Sequence, residues 1–259
     1  MKVCILVVGG YQMKNDFREL ETIFKGIKNK GWIKGITNTK GNVGLTFENL
    51  LDKEAEDFPM PDFKSVEIKT YEVGKQEIIH LFNLTPDGDY LFPIKRILNE
   101  LGCPDKEKKE CRIFYRELSA VSYTNIGLYK KAKLIVNYPE QKVEMHVFNN
   151  YNKDINIGVS WSFSAIEERL NLKLKNLALV TTFGKYLNGD KYFKYNSINF
   201  YQIKDFLTFL LLIKTGYIHI TFKIGVFKNG RREGQIYDHG TDFSISVENI
   251  EKLYDKIEL

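Results

Sequence analysis

The chain has little cysteine. Three residues, Cys4, Cys103 and Cys111, occur in 259, without CxxC spacing, and an odd number cannot pair completely. This argues against a zinc site and a disulfide framework and suits a reducing compartment. Long apolar runs are missing too. Residues 1–8 and 206–213 are the strongest runs, and both fall short of the roughly 20 residues that cross a bilayer. Gly9-Gly10-Tyr11-Gln12 is a poor cleavage site, so 1–8 reads as a strand or an ordered tail and the protein as soluble and cytoplasmic, with no membrane partner. There is no internal repeat and no low-complexity linker. A strong charge excess is absent as well. The net charge of +5 is mild, compatible with a polyanionic partner but no proof of one.

What is present is ordinary for a globular protein: 43% apolar and 27% charged residues, with 18 Phe and 15 Tyr to supply core and contact surface. The length suits one large domain or two lobes. Asp16 reads as the cap of a helix over 17–24, with Leu20, Ile23, Phe24 and Ile27 on one stripe and Gly31 at its end. The stretch 32–44 carries Lys34, Lys40, Gly41, Asn42 and Gly44. It is either a connector or a loop whose amides and lysines lie against phosphate. Thr46 starts a second helix, turning Phe47, Leu50 and Leu51 inward and leaving Glu48 free. Further on, 77–82 reads as a strand, 94–101 as a helix, 105–112 (DKEKKECR) as a solvated turn, and 130–136 with 142–148 as an antiparallel pair. Ser164 reads as a helix cap, 177–180 as a buried strand, 203–215 as a helix and 218–227 as a strand. The run 191–196 interleaves aromatics with bases, a pattern for DNA contact or for strand-edge packing. Residues 228–245 read as a long basic hairpin with donors and acceptors at its base. His80, His146 and His219 sit inside strand patterns and read as structural.

The chemistry concentrates in residues 44–69. Ser65 to Lys69 alternate polar and apolar, so Val66 and Ile68 enter a core while Glu67 and Lys69 stand together outside it. Asp62 follows Pro59 and Pro61 and turns into that strand. Two carboxylates and an ammonium that converge can hold a hard divalent cation and face a lysine to the same point, which is equipment for metal-assisted phosphodiester hydrolysis. Taken alone, the same residues also describe a solvated strand face with an incidental ion pair.

Several blocks in one order decide between these readings. They are Gly41-Asn42-Val43-Gly44 with 46–51, Pro61-Asp62-Phe63 with 66–70, Leu81-Phe82, Trp161-Ser162-Phe163 with Lys173-Leu174-Lys175, 191–197 (KYFKYNS), and Asp238-His239-Gly240-Thr241 with Phe243. Together they resemble the MvaI/BcnI family of type II restriction endonucleases, closer to its MvaI than its BcnI branch, with the mismatch-repair nickase MutH as a relative. The match runs from about residue 17 to the C-terminus and is poor over 1–12 and 90–129.

The resemblance implies an α/β PD-(D/E)xK nuclease, a mixed sheet flanked by helices, with two lobes around a DNA cleft. On that basis residues 1–259 form one nuclease chain, its catalytic lobe centred on 17–90 and its recognition lobe including roughly 185–245. It implies a monomer that needs Mg²⁺ and cuts CC-N-GG sites in double-stranded DNA one strand at a time, CCWGG favoured, with no obligate protein partner and a cognate DNA methyltransferase in the same system. By position, Asp62 and Glu67 match the metal-binding carboxylates, Lys69 the catalytic lysine and Glu48 the additional acid. A lysine beside two carboxylates stays protonated, which suits placing water and offsetting charge. Arg231, Arg232, Asp238 and His239 have the donors and acceptors that read base edges, although the two arginines equally suit phosphate or solvent; Lys40, Asn42, Lys228 and Thr241 complete the DNA-binding set. The alternatives are a MutH-like nickase activated by repair partners and a DNA-binding module that does not cut.

Overall fold

The computed structural model describes residues 2–37, 39, 41–51, 60–75, 78–89, 92–155 and 157–259, with side chains from residue 12 onward. The chain forms two compact units. The first comprises Met1–Ile79, Leu170–Lys204 and Val247–Leu259; the second comprises His80–Arg169 and Asp205–Ser246. Residues 185–204 therefore belong with the first unit.

The first unit is built on a five-stranded sheet. Strands Ile33–Lys34, Asp190–Ile203, Asn176–Leu187 and Glu67–Glu72 lie in that order, and Tyr254–Ile257 also pairs with Asp190–Ile203. The two long strands form a hairpin turned at Asn188 and Gly189, whose φ values of 53° and 84° are those an Asn-Gly turn adopts. Strand Glu67–Glu72 is added in parallel, with Glu67 opposite Leu177 and Glu72 opposite Thr182. Residues 176–182 are all buried, as expected of a strand covered on both faces, so the apolar run at 177–180 was only the middle of this element.

Helix Lys2–Asn29 packs on this sheet. Met13, Phe17, Leu20, Phe24 and Ile27 recur at helical spacing and join Val66, Ile68, Ala178, Val180, Phe193 and Phe200 in one core. Phe17 stacks on Phe200 with ring centroids 4.7 Å apart. The helix extends upstream of its expected start, so residues 2–8 are helical rather than a strand or tail, and Asp16 is not a cap. Asp16 lies inside the helix, buried, accepting from Gln12 Nε2 at 3.1 Å and Ser65 Oγ at 2.5 Å. Met13 continues the apolar stripe upstream, which is why the helix does not stop there. Helix Asn42–Asn49 also starts before the expected Thr46, after Gly41 at φ 89°. Within 191–196, Phe193 and Tyr195 are buried, so the packing alternative holds for these two rings.

The second unit contains two sheets. In the larger, Ile78–Asn83, Asp242–Ser246, Ile218–Val226, Arg112–Leu118 and Cys103–Pro104 lie in that order, with Ile236–Asp238 also on Ile218–Val226. One face is aromatic: Phe82 stacks on Phe243 at 4.8 Å, and Trp161 meets Phe222 and Phe243 at 5.9 and 5.8 Å. The smaller sheet runs Thr124–Ile126, Lys130–Asn137, Lys142–Asn149, Val159–Ser162, and it contains the antiparallel pair expected from sequence. Helix Phe206–Lys214 is capped by Asp205, which accepts from Thr208 N at 2.7 Å, while Ile203 ends the preceding strand. Helix Phe163–Lys173 takes in Ser164, which therefore does not cap it. The charge run forms a largely exposed turn, as expected, around a buried Asp105 that accepts from the amides of Glu107 and Lys108 at 2.8 and 3.1 Å. Among the described residues no helix is long and apolar enough to cross a membrane.

Phe17 is fully buried and stacked, so Phe17→Ala is expected to cost about 3–5 kcal/mol in urea unfolding. A loss below about 1 kcal/mol would show that this helix is not part of the core.

Candidate active site

The spacing between the two acids has a local cause. Phe63 and Val66 pair as one antiparallel bridge, each amide donating to the other's carbonyl, at 2.9 and 2.8 Å. Lys64, at φ 51°, and Ser65 make the turn between them. The next pair outward is Asp62 and Glu67, so a separation of five residues sets two carboxylates opposite each other. Asp62 Oδ2 then accepts from the amide of Ile68 at 2.9 Å, which turns its carboxylate along the strand.

Glu67 was expected outside the core and is instead fully buried. The strand it begins pairs with Asn176–Leu187, and the end of helix Phe163–Lys173 brings a second lysine to it. Glu67 Oε1 lies 2.6 Å from Lys69 Nζ and 3.4 Å from Lys173 Nζ. Among the described residues its buried Oε2 has no hydrogen-bond partner. Burial is the largest influence on its carboxyl and raises its pKa; Lys69 and Lys173 oppose the rise and Asp62 adds to it. The Tyr254 phenol is buried without a hydrogen-bond partner, and its pKa is raised first by burial and then by the Glu67 charge. Lys69 and Lys173 keep 22% and 28% of their side chains exposed, enough for both ammonium groups to meet a substrate.

Glu48, on helix Asn42–Asn49, approaches the same strand at Thr70. A Cβ on Gly44 would lie 3.4 Å from Thr70 Oγ1 and 3.7 Å from Glu48 Oε1. The Glu48 charge also raises the pKa of the buried Tyr195 phenol, after burial itself. Among the described residues no group of three His, Cys, Asp or Glu side chains is arranged to hold a metal. What the site offers a hard cation is the Asp62–Glu67 carboxylate pair, including the unpartnered Oε2, and such ions complete their shells with water and phosphate oxygen.

The other candidates fall into two groups. Some side chains are committed to the fold. Asn42 is buried and its Oδ1 accepts from Thr37 N at 3.2 Å and Thr46 Oγ1 at 3.0 Å, so it organises its loop instead of facing DNA. Thr241 is fully buried and is likewise turned away from any surface contact. Lys228 pairs with Glu107 at 2.6 Å and Asp105 at 2.9 Å, bonds that raise its pKa. Others face out. Arg231 and His239 are exposed, the His239 ring 4.5 Å from that of Tyr237, and Arg232 lies over Phe227 at 4.3 Å. Asp238 is half-buried, its pKa raised chiefly by burial, with Oδ1 accepting from Gly240 N at 3.0 Å. Lys40 lies outside the described residues.

Two arrangements were not anticipated. Lys173 stood in the sequence only as part of the block Lys173-Leu174-Lys175, with no role of its own; the parallel pairing of the next strand brings it to Glu67. His80 read as structural, yet its ring is more than half exposed, with Nδ1 on the buried carboxylate of Asp242, which Lys223 also approaches at 3.5 Å. Strand alternation, with Ile79 and Leu81 buried on either side, is the signal that turns His80 outward.

Comparison with known proteins adds the following. The model of the MvaI/BcnI restriction endonuclease family matches residues 21–254. No curated protein matches the sequence. Among solved structures, the restriction endonuclease MvaI in complex with its cognate DNA substrate is 28% identical, over 93% of this chain and 96% of that one, with a TM-score of 0.84. MvaI in the absence of DNA is 29% identical over the same shares, with a TM-score of 0.61.

Because burial raises the Glu67 pKa, the neutral carboxyl is the form the fold favours. Its stability contribution is full below the ordinary value of 4.5 and is lost as pH rises through the raised native value. Glu67→Gln keeps the neutral shape. Its melting temperature should exceed the parent's at neutral pH, by a margin that shrinks as pH falls through the raised native value toward 4.5. A variant less stable than the parent at neutral pH would show that the two lysines outweigh desolvation.

Proposed function

Because the chain belongs to the MvaI/BcnI restriction endonuclease family, we propose that it is a Mg²⁺-dependent type II enzyme with the PD-(D/E)xK site. It hydrolyses phosphodiester bonds of double-stranded DNA at a pseudopalindromic CC-N-GG site, CCWGG first, as a monomer cutting one strand at a time. A cognate DNA methyltransferase protects the host. The observation that carries this reading is the buried Glu67, opposite Asp62 and in contact with Lys69, with one carboxylate oxygen left unpartnered.

Asp62 and Glu67 are the residues that would hold Mg²⁺, which when bound offsets charge on the scissile phosphate and makes its water a better nucleophile. The remaining steps belong to the chain. Asp62 is oriented by the Ile68 amide, which bonds its Oδ2. Lys69 and Lys173 present ammonium groups where charge grows on the phosphoryl oxygens, and Lys69 places the attacking water. Glu48, beside Thr70, orients water at the rim of the site. In the second unit Arg231, Arg232, Asp238 and His239 supply donors and acceptors for bases and phosphates.

The test is incubation of the protein with unmethylated phage DNA and Mg²⁺, beside EDTA and the Lys69→Ala variant. Discrete fragments from the parent, with Lys69→Ala slower by about 100-fold or more, are expected. Lys173→Ala should lose less, about 10-fold, because its contact with Glu67 is longer. DNA that shifts on a gel yet stays intact would replace the nuclease with a binding module. Nicks that appear only with repair proteins would indicate a MutH-like role.

A further inference from the structure

The turn that sets the carboxylate separation is gripped from outside the site. Lys64 and Ser65 are its only two residues, and each is held by helix Lys2–Asn29. Ser65 Oγ donates to Asp16 Oδ2 at 2.5 Å, and Lys64 Nζ pairs with Glu19 Oε2. Asp16 and Glu19 are three apart, so they share one face of the helix. The two contacts are unequal. Lys64 and Glu19 are about half exposed, where an ion pair contributes little, whereas Asp16 is 2% exposed. From the other side Asn176 Nδ2 donates to the Ser65 carbonyl at 3.1 Å, fixing the turn to the strand that pairs with Glu67.

A buried carboxyl inside a helix is unusual unless its partners need it. Among the described residues Asp16 pairs with no cation; its partners there are Gln12 on its own helix and Ser65. The family match covers residues 21–254, so it includes Ser65 but not Asp16. We propose that Asp16 is a positioning residue: through Ser65 it fixes the Lys64-Ser65 turn and with it the separation of the Asp62 and Glu67 carboxylates that a divalent cation must bridge. The inference rests on the nuclease reading. Lys64 occupies a left-handed conformation, so a turn released from Ser65 has a more favourable backbone to relax into, and the bridge that opposes Asp62 to Glu67 relaxes with it.

The experiment uses the full chain with Asp16→Asn, Ser65→Ala and the double variant, and Glu19→Gln as the exposed control. Two quantities are read: Mn²⁺ binding to the protein alone, from the paramagnetic resonance of the free ion, and single-turnover cleavage with Mg²⁺. Asp16→Asn and Ser65→Ala are expected to weaken Mn²⁺ binding and slow cleavage by about 10-fold each. The double variant should lose no more than either single one, and DNA affinity measured with Ca²⁺ should stay at the parent's value. Glu19→Gln should match the parent. Lower melting temperatures with unchanged Mn²⁺ binding and cleavage would overturn the positioning role while leaving the nuclease intact. Additive losses in the double variant would overturn the shared path through Ser65. A parent that binds no Mn²⁺ and cuts no DNA would overturn both readings, and Ser65→Ala, which removes one hydroxyl, keeps the test informative if Asp16→Asn folds poorly.

Discussion

The unfavourable placement on which the first unit turns is a carboxylate with no solvent. Glu67 begins an edge strand, is fully buried, and keeps one oxygen without a partner. Such a group is tolerated because Lys69 and Lys173 both lie on its other oxygen and because the strand is fixed on every side. The parallel pairing with Asn176–Leu187 holds its backbone, the Phe63–Val66 bridge holds the chain before it, and Val66 and Ile68 anchor its other face in the core. Groups whose desolvation opposes the fold concentrate where chemistry needs them. A buried carboxylate oxygen without a partner, in a group that also feels the charge of a second carboxylate, suits an incoming cation better than it suits a folded chain.

Topology does more here than local sequence. A parallel neighbour requires the chain to leave the sheet and return, and it returns along helix Phe163–Lys173. Lys173 is that helix's last residue, so the register that sets Glu67 opposite Leu177 also brings an ammonium group to its carboxylate. The second lysine is thus a product of the same crossover that builds the sheet.

What could be read from sequence follows the range of the interactions involved. A strand through Glu67 and Lys69, read at 65–69 and found at 67–72, the pairing of 130–137 with 142–149 and the acid–acid–lysine spacing are local patterns, and they were legible. Burial of Glu67 was not, because alternation assigns one face to the core and is silent on a second layer over the other. Asp16 satisfies a cap rule by composition, and only Ser65, 49 positions away, shows that its carboxyl is used elsewhere. The charge run at 105–112 is the largely exposed turn its composition indicates, but its tie to the rest of the fold was hidden for the same reason: Asp105 and Glu107 find Lys228, more than a hundred residues on. Long-range ion pairs leave no periodic trace.

That distinction also sorts the basic residues of the second unit. Lys228, held by two carboxylates, would have to give up formed ion pairs to meet a phosphate, and the exchange leaves little net gain. Arg231 and His239 are exposed and need no such exchange. Arg232 keeps its guanidinium stacked on Phe227, which leaves its in-plane donors available and limits the freedom lost when they bond. His80 is the more constrained case. With the buried carboxylate of Asp242 on its Nδ1, the more than half exposed ring is fixed in direction. A side chain already held in place loses less entropy on contact than a free one, so the ordered part of this face lies at His80 and Asp242 and the adaptable part at Arg231.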